Sequence, residues 1–302
     1  MPSPLAWVES PLQLLGAAEW AHAHGTRVDV AGRLMAQVEQ TSNEAAARGA
    51  LFGEQVGFHG IPWRMLATRE HWLVGDGFSG QFRLAATVLR PKRITFLDDG
   101  LNAVAFADSL TGARPYARPR ATREGAIARR VTPLALDLVQ LRAARGSVDL
   151  FTAFPLGDER EARLRSLGAT VSRHGFEWVR STKSATPLGA GRVILGTARV
   201  ADGLIDRSEY VAWVRRQARG GPAVYLPHRR ECEQTLAEVA RIGGVTVVHT
   251  GLPVELVLAA QDRPREIVTL PSSAVVTLRR VLAGSESVVR EYDLADRPEL
   301  AL

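Results

Sequence analysis

The fold is predicted most clearly by one stretch of the chain, AVYLPHRRECEQTLAEVARIGGVTVVHTG (residues 223–251). The apolar run 223–227 ends at a proline and predicts a buried strand. Residues 231–244 form a helical pattern that ends in two glycines, and 245–251 is again strand-like. A strand, a helix and a second strand in this order predict two parallel strands in one sheet.

The same alternation continues in both directions from this stretch. Further strands are predicted at 5–10, 27–32, 56–61, 71–76, 93–99, 148–154, 192–198 and 265–273. Helices are predicted at 11–25, 157–168, 208–220, 253–261 and 274–284. This pattern predicts an α/β protein whose parallel sheets are covered on both faces.

A segment rich in small residues, proline and glycine, KSATPLGAG (183–191), interrupts the alternation. We therefore expect two Rossmann-like domains, 1–185 and 186–302, whose sheets face a central cleft. In open α/β sheets, ligands bind beyond the carboxyl ends of the strands, so the candidate residues are sought there.

Cysteine content and the first residues bear on the compartment. Cys232 is the only cysteine, so no internal disulfide can form, which fits a reducing compartment. The first residues lack a basic leader, and Glu9 and Glu19 interrupt the apolar run, so we expect no signal peptide. No apolar run is long enough to cross a membrane, and a cytoplasmic protein is expected.

The chain is basic, with a formal net charge of +6, and all its basic residues except Lys92 and Lys183 are arginines. A GC-rich genome explains this bias as well as an affinity for phosphates, anionic sugars or an anionic membrane surface does. The densest basic stretch, 114–130, contains prolines and predicts a loop. It lacks the interleaved aromatics of single-strand-binding surfaces, so nucleic acid is not an expected partner.

Three strand ends carry unusual polar groups. Asp98 and Asp99 follow a buried strand, where two carboxylates invite a pKa shift or a cation, although a solvated turn is the alternative. His228 follows a strand and precedes two arginines, which disfavour a protonated imidazole unless an anion is near. Ser272 and Ser273 begin a helix, where hydroxyls and free N–H groups either bind an anion or simply cap the helix.

Several common motifs are absent. The sequence has no GxGxxG after a strand, no GxxxxGK[ST], no HExxH, no CxxC and no GxSxG. His249 is not part of a Cys or His cluster with metal-ligand spacing. We therefore expect neither a metal nor a cofactor.

The strand-end motifs occur in a recognisable order. They are SPLQ (10–13), DDG (98–100), PHRRE (227–231), LPVE (252–255) and SS (272–273). This ordered set resembles bacterial sialyltransferases of the lipooligosaccharide and polysialic-acid type. The resemblance spans most of the chain and implies a GT-B architecture. It also implies metal-independent transfer of a sialic acid or related nonulosonic acid from a CMP-activated donor to a glycan.

The resemblance also implies roles for individual residues. In it Glu255 holds the ribose hydroxyls, and Ser272 and Ser273 hold the phosphate of the CMP-sugar. Two positions depart from the family pattern, because Arg229 stands where a proline usually follows the histidine and Thr197 replaces a glutamine. These departures leave the donor sugar open.

The chemistry assigns candidate roles to the residues. Asp99 is the expected base for the acceptor hydroxyl, with Asp98 next, and His228 is expected to donate to the leaving phosphate. Arg229 and Gly100 complete the expected donor-binding set. Ser10 and Gln13 are candidates for sugar or acceptor contact, with a helix N-cap as the alternative for Ser10. The rival bases are Asp202 and Asp206.

Other functions stay open at this point. One is the same fold with another donor, CMP-Kdo or a nucleoside-diphosphate sugar. Another is a catalytically degenerate relative that only binds a surface glycan. A lipid-linked or polymeric acceptor, peripheral contact with the inner face of the membrane and a homodimer are further expectations.

Overall fold

The computed structural model of the chain describes residues 3–119, 126–183, 187–259 and 261–294, with the backbone alone for 126–129. The chain divides into two compact units, Met1–Val179 and Arg180–Leu302, called here the N-terminal and the C-terminal unit. The division lies slightly before the predicted boundary after residue 185.

Within the described residues, the N-terminal unit contains seven strands and seven helices, and an eighth helix runs from its last residues into the C-terminal unit. Its strands are β1 (Leu5–Val8), β2 (Val28–Arg33), β3 (Phe52–Phe58), β4 (His71–Val74), β5 (Arg93–Phe96), β6 (Val148–Thr152) and β7 (Thr170–Arg173). Its helices are α1 (Pro11–His24), α2 (Ala36–Ala47), α3 (Trp63–Ala67), α4 (Gly80–Leu89), α5 (Asn102–Leu110), α6 (Ala126–Ala143), α7 (Asp158–Ser166) and α8 (Glu177–Ser181).

All seven strands form one parallel sheet in the order β3-β2-β1-β4-β5-β6-β7. The chain winds outward in one direction from β1 to β3 and in the other from β4 to β7. The switch between the two directions lies between β1 and β4, and ligands of doubly wound sheets bind beside such a switch.

The sheet has apolar side chains on both faces, since β1 and β6 are buried along their whole length. The core includes Trp7, Trp72 and Phe96, packed under helices that cover the sheet. α1 begins as the sequence predicts, with Ser10 as N-cap and proline at the first helical position, and ends at Gly25 in the left-handed conformation.

The C-terminal unit repeats the same plan on a smaller scale. Its strands are β8 (Arg192–Leu195), β9 (Ala223–Leu226), β10 (Val245–Val247), β11 (Glu266–Thr269) and β12 (Val288–Glu291). Its helices are α9 (Arg207–Gln217), α10 (Glu233–Ala240), α11 (Val254–Leu258) and α12 (Ser273–Val281), with a short 3₁₀ turn at Ala218–Gly220. The five strands are parallel, in the order β10-β9-β8-β11-β12, with the switch between β8 and β11.

The predicted fold class, α/β with two parallel Rossmann-like sheets, is confirmed, and the differences lie in particular elements. The third strand begins earlier than the predicted 56–61, and α10 begins at Glu233 instead of 231. β7 and β12 were not predicted. The prediction of a loop throughout 114–130 is wrong for 126–130, which begin α6, and 120–125 lie outside the described residues.

No helix among the described residues combines the length and the hydropathy that a bilayer crossing requires.

Candidate functional site

Asp98, the first carboxylate of the DDG motif, is turned into the protein. It is 1% exposed and accepts hydrogen bonds from the Thr152 hydroxyl, the Ala153 N–H (2.7 Å) and the His174 Nε2 (3.1 Å). These donors lie at and beyond the end of β6 and just after β7. Asp98 therefore connects three strand ends and has no oxygen directed to solvent, a structural role that the sequence did not reveal.

Asp99, the second carboxylate, is half-buried and is oriented by two amides. Gln13 Nε2 donates to its Oδ1 at 2.9 Å, and Asn102 Nδ2 donates to its Oδ2 at 2.9 Å. Gln13 is itself fixed, because its Oε1 accepts the Glu9 N–H at 2.7 Å. The structure thus brings Gln13 and Asp99 together. Gly100 follows with φ of 62°, a conformation that favours glycine and turns the chain immediately after Asp99.

Ser10 lies at the same strand edge but serves the helix. Its hydroxyl accepts the Gln13 N–H at 3.4 Å as the N-cap of α1. The N-cap interpretation of Ser10 is therefore confirmed.

Asp76 belongs to this cluster and was missed in the sequence. It follows β4 between two glycines, is 8% exposed, and forms an ion pair with Arg118. The same guanidinium lies 3.6 Å from Asp99 Oδ2. Burial, followed by the charge of Asp99, raises the pKa of Asp76 to about 6, and Arg118 opposes this rise. The signal in the sequence was GDG at the end of a predicted strand, beside the DDG of the next strand.

Arg118 lies on a loop that Tyr116 anchors to the rest of the unit. Tyr116 donates its hydroxyl to the Gly77 carbonyl at 2.5 Å and packs against Phe78 and Phe106. The Arg83 guanidinium lies 4.4 Å from the centre of the Tyr116 ring. Asp76, Asp99 and Asn102 line a pocket at this edge of the sheet, which we call the acidic edge. Its carboxylates can accept a proton or a hydrogen bond from a bound hydroxyl.

His228 lies at the corresponding edge of the C-terminal unit, directly after β9. Its Nδ1 accepts the Arg230 N–H at 3.2 Å, so the neutral ring carries its proton on Nε2. Burial lowers the pKa of His228, and the charges of Arg229 and Arg230 lower it further. The ring is therefore a neutral imidazole at neutral pH, with one N–H to donate.

The Glu231 carboxylate is held by hydrogen bonds, one of them from the His228 backbone. Its Oε2 accepts the His228 N–H at 2.6 Å, its Oε1 accepts the Tyr225 hydroxyl, and the Thr197 N–H also donates to it. Burial raises its pKa to about 7, and the three hydrogen bonds oppose the rise. A Cβ at Gly196 would collide with the Glu231 carboxylate, so glycine is required there. The sequence indicated no such role.

Ser272 and Ser273 follow β11. Ser272 is the N-cap of α12 with extended backbone, but its side chain makes no capping hydrogen bond. Ser272 is exposed and Ser273 is half-buried. The hydroxyls and the N-terminus of α12 are therefore accessible to an anion.

The remaining candidates of the C-terminal unit have protein partners. Glu255 is 6% exposed, and its Oε1 accepts the Thr277 hydroxyl at 2.6 Å, while burial raises its pKa. Asp202 pairs with Arg230, and Asp206 is the N-cap of α9. The hydroxyl and N–H of Ser208 lower the pKa of Asp206, which makes it a weaker base. We call the edge that carries His228 and the two serines the donor edge, because its side chains offer hydrogen-bond donors.

Metal ligands are not clustered in the part of the chain that the structure describes. No three His, Cys, Asp or Glu side chains there are grouped in a way suited to a metal ion. Arg118 compensates the two carboxylates of the acidic edge.

Comparison with known proteins identifies the fold. No protein-family model and no curated protein matches the sequence. Among solved structures, a protein assigned as a UDP-N-acetylglucosamine 2-epimerase from Listeria monocytogenes has a TM-score of 0.52 at 12% identity, over 89% of this chain and 75% of that one. The fold is of the GT-B type. The likeness concerns architecture alone, because the identity is so low.

Two further solved structures show weaker likenesses. The spinosyn forosaminyltransferase SpnP gives a TM-score of 0.44 at 12% identity, over 98% of this chain and 81% of that one. MurG from Acinetobacter baumannii gives 0.33 at 14% identity, over 92% and 74%.

Proposed function

We propose that the protein is a glycosyltransferase that moves a sialic acid or related nonulosonic acid from a CMP-activated donor to a glycan hydroxyl. One observation carries the proposal. A neutral histidine that carries its proton on Nε2 follows β9, an uncapped helix start with two serines follows β11, and both strands are neighbours of β8. Neighbouring strands are about 4.8 Å apart, so these two groups are separated by roughly the width of two strands. That spacing suits a phosphate and the sugar attached to it.

The donor edge fits the chemistry of a leaving nucleotide. As the bond between the sugar and the phosphate breaks, negative charge grows on the phosphate. The Nε2–H of His228 donates a hydrogen bond to it, and Ser272, Ser273 and the positive end of α12 stabilise the remaining charge. Since CMP is a good leaving group, the step needs no metal.

The acidic edge fits the chemistry of an acceptor. The acceptor hydroxyl must lose a proton as it attacks the sugar, and Asp99 is a carboxylate held in one orientation by Gln13 and Asn102. Asp99 is thus the proposed base for the acceptor, and His228 is the proposed partner of the leaving phosphate. Asp98, with its oxygens occupied, positions the loop that carries Asp99.

Other residues have proposed donor contacts. Arg229, which is exposed, and Gly100 are both assigned to contact with the donor. A ribose contact is assigned to Glu255, whose carboxylate already accepts the Thr277 hydroxyl. A lipid-linked acceptor, contact with an anionic membrane, a cytoplasmic location and a homodimer remain predictions.

The proposal is tested by incubating the protein with CMP-sialic acid and a sialic-acid acceptor glycan, and measuring CMP release and product mass. We expect transfer without added metal. His228→Ala should lower turnover on the order of 10²-fold, because one donor to the leaving group is lost.

The matched control is His249→Ala, which removes an exposed histidine after the next strand and should leave turnover unchanged. CMP-Kdo and UDP-sugars are tested beside CMP-sialic acid. Turnover of a UDP-sugar but not of any CMP-sugar would contradict the proposal, as would glycan binding without transfer.

A further inference from the structure

The buried hydrogen-bond chain below His228 has a single direction. Tyr210 and Tyr225 are both fully buried, and their hydroxyls are 2.7 Å apart. The Tyr225 hydroxyl donates to Glu231, so Tyr210 must donate to Tyr225. The chain therefore ends on the Glu231 carboxylate, which is surrounded only by donors: one hydroxyl and the N–H groups of His228 and Thr197.

The Glu231 carboxylate also closes a turn around the histidine. The Glu231 N–H donates to the His228 carbonyl at 2.9 Å, and the His228 N–H donates to the Glu231 carboxylate at 2.6 Å. These two bonds fix the backbone of 228–231 in both directions. Within that turn, the Arg230 N–H is presented to His228 Nδ1. The turn that Glu231 closes therefore sets which of the two ring nitrogens carries the proton.

Gly196 and Thr197, just after β8, join the turn to the neighbouring strand. The Thr197 N–H donates to Glu231, and a side chain at Gly196 would displace the carboxylate. The arrangement connects the ends of the neighbouring strands β8 and β9, and β8 borders the switch point. Glu231 is consequently connected to the rigid sheet on two sides and to the buried tyrosines below.

We propose that Glu231, supported by Tyr225 and Tyr210, is the positioning residue that fixes the tautomer and direction of the His228 ring. The inference rests on the proposed function for its catalytic consequence, but the positioning itself does not depend on any substrate. Removal of the carboxylate opens the turn, and His228 Nδ1 then loses its fixed donor. The two neutral tautomers become mixed, and Nε2–H is no longer directed at one point.

The test reads the tautomer directly by ¹⁵N NMR of histidine-labelled protein, with the His228 signals assigned through His228→Ala. The wild type should show a single Nε2–H tautomer above the pKa of the ring. Glu231→Ala should show a mixture, and Tyr225→Phe a smaller shift in the same direction. Glu231→Gln keeps one carbonyl acceptor for the His228 N–H and should restore part of the wild-type signal. Glu233→Ala, which removes an exposed glutamate two residues later, should change nothing.

Kinetics with a CMP-sugar provide the second readout. A ring displaced by about 1 Å can cost on the order of 10²-fold in rate. We expect Glu231→Ala to lower kcat at least tenfold with KM for the donor changed less than about threefold, since the donor's other contacts remain. Partial recovery of kcat in Glu231→Gln should follow the recovery of the tautomer.

The outcomes separate the two proposals. A folded Glu231→Ala protein with an unchanged Nε2–H tautomer overturns the positioning role, whether or not transfer is observed. If Glu231→Ala does not fold, unchanged tautomers in both Glu231→Gln and Tyr225→Phe overturn it. A mixed tautomer in Glu231→Ala supports the positioning role. If the wild type also turns over no CMP-sugar, the proposed function is rejected while the positioning role stands.

Discussion

The two strand edges share a plan but carry different chemical groups. Both units place β-strands in the order 3-2-1-4-5 about a switch point, and both have polar side chains at the carboxyl ends near that switch. The acidic edge presents Asp76 and Asp99, two carboxylates bridged by Arg118. The donor edge presents an imidazole N–H, two serines and a helix start. The common topology therefore decides where reactive side chains lie, and the local residues decide which charge each edge can stabilise.

Each edge also contains one carboxylate that is turned inward. Asp98 accepts a hydroxyl, a backbone N–H and an imidazole, and Glu231 accepts a hydroxyl and two backbone N–H groups. Each of these carboxylates orders the loop that carries a half-buried candidate residue, Asp99 in one unit and His228 in the other. A buried carboxylate beside a candidate reactive residue thus indicates a residue that holds the loop in place. Three substitutions test this division of labour.

The largest effect is expected for Asp99→Asn. An amide cannot take the acceptor proton, and general-base catalysis contributes roughly 10²- to 10⁴-fold, so transfer should fall about 10³-fold. Steady-state transfer rates with saturating acceptor measure this. The exposed Asp137 on α6 provides the control Asp137→Asn, whose rate should equal that of the wild type. A loss below tenfold for Asp99→Asn would show that another residue, Asp76 or Asp202, acts as the base.

Asp98→Asn should affect stability more than chemistry. The amide replaces one carboxylate oxygen by a donor group, so either the Thr152 hydroxyl on one side or the Ala153 N–H on the other loses its acceptor. A buried unsatisfied group costs about 1–3 kcal/mol. Urea unfolding should show a free energy of unfolding lower by about 2 kcal/mol. Unchanged stability together with lost transfer would show that Asp98 takes part in the reaction itself.

Asp76→Asn should give the smallest effect, visible in the pH dependence of stability. The pKa of Asp76 is raised to about 6 in the folded protein, against an ordinary value of 3.8. The folded protein thus retains this proton to higher pH than the unfolded chain, and the stabilisation present below pH 3.8 is lost as the pH rises through 6. Thermal unfolding between pH 4 and 7 should show a decline that is reduced in Asp76→Asn, by on the order of a few °C in Tm.

The same pH series separates the effect of Asp76 from the effect of pH on the stability of the rest of the protein. Asp137→Asn should retain the full wild-type decline. If Asp76→Asn retains it as well, the carboxyl is not buried beside Asp99 as described.

The sequence was most informative where strands are buried on both faces. β1, β6 and β9 are buried along their whole length and are mainly apolar, so their positions were predicted from composition and bounding turns alone. The strand-end residues Asp99 and His228 followed from those positions. β7 and β12 are outer strands with polar, partly exposed residues, and this is why no apolar run revealed them.

The supporting contacts could not be predicted because they join residues far apart in the chain. His174 reaches Asp98 across 76 positions, and Arg118 reaches Asp76 across 42. Glu231 is near His228 in sequence, but its role depends on Gly196 and the buried tyrosines. Local patterns indicate which side chains stand at a strand end, whereas only the packed sheet shows which of them are turned inward.

The central claim, that the donor edge binds the phosphate of a cytidine nucleotide, is tested most directly by isothermal titration of CMP. The wild type should bind CMP more tightly than UMP. The double variant Ser272→Ala/Ser273→Ala should bind at least about tenfold more weakly, because hydrogen bonds to a charged group contribute about 1.5–3 kcal/mol. Ser285→Ala, beyond the other end of α12, should bind as the wild type does. CMP affinity that is the same in the double variant and the wild type, or absent from both, would contradict the claim.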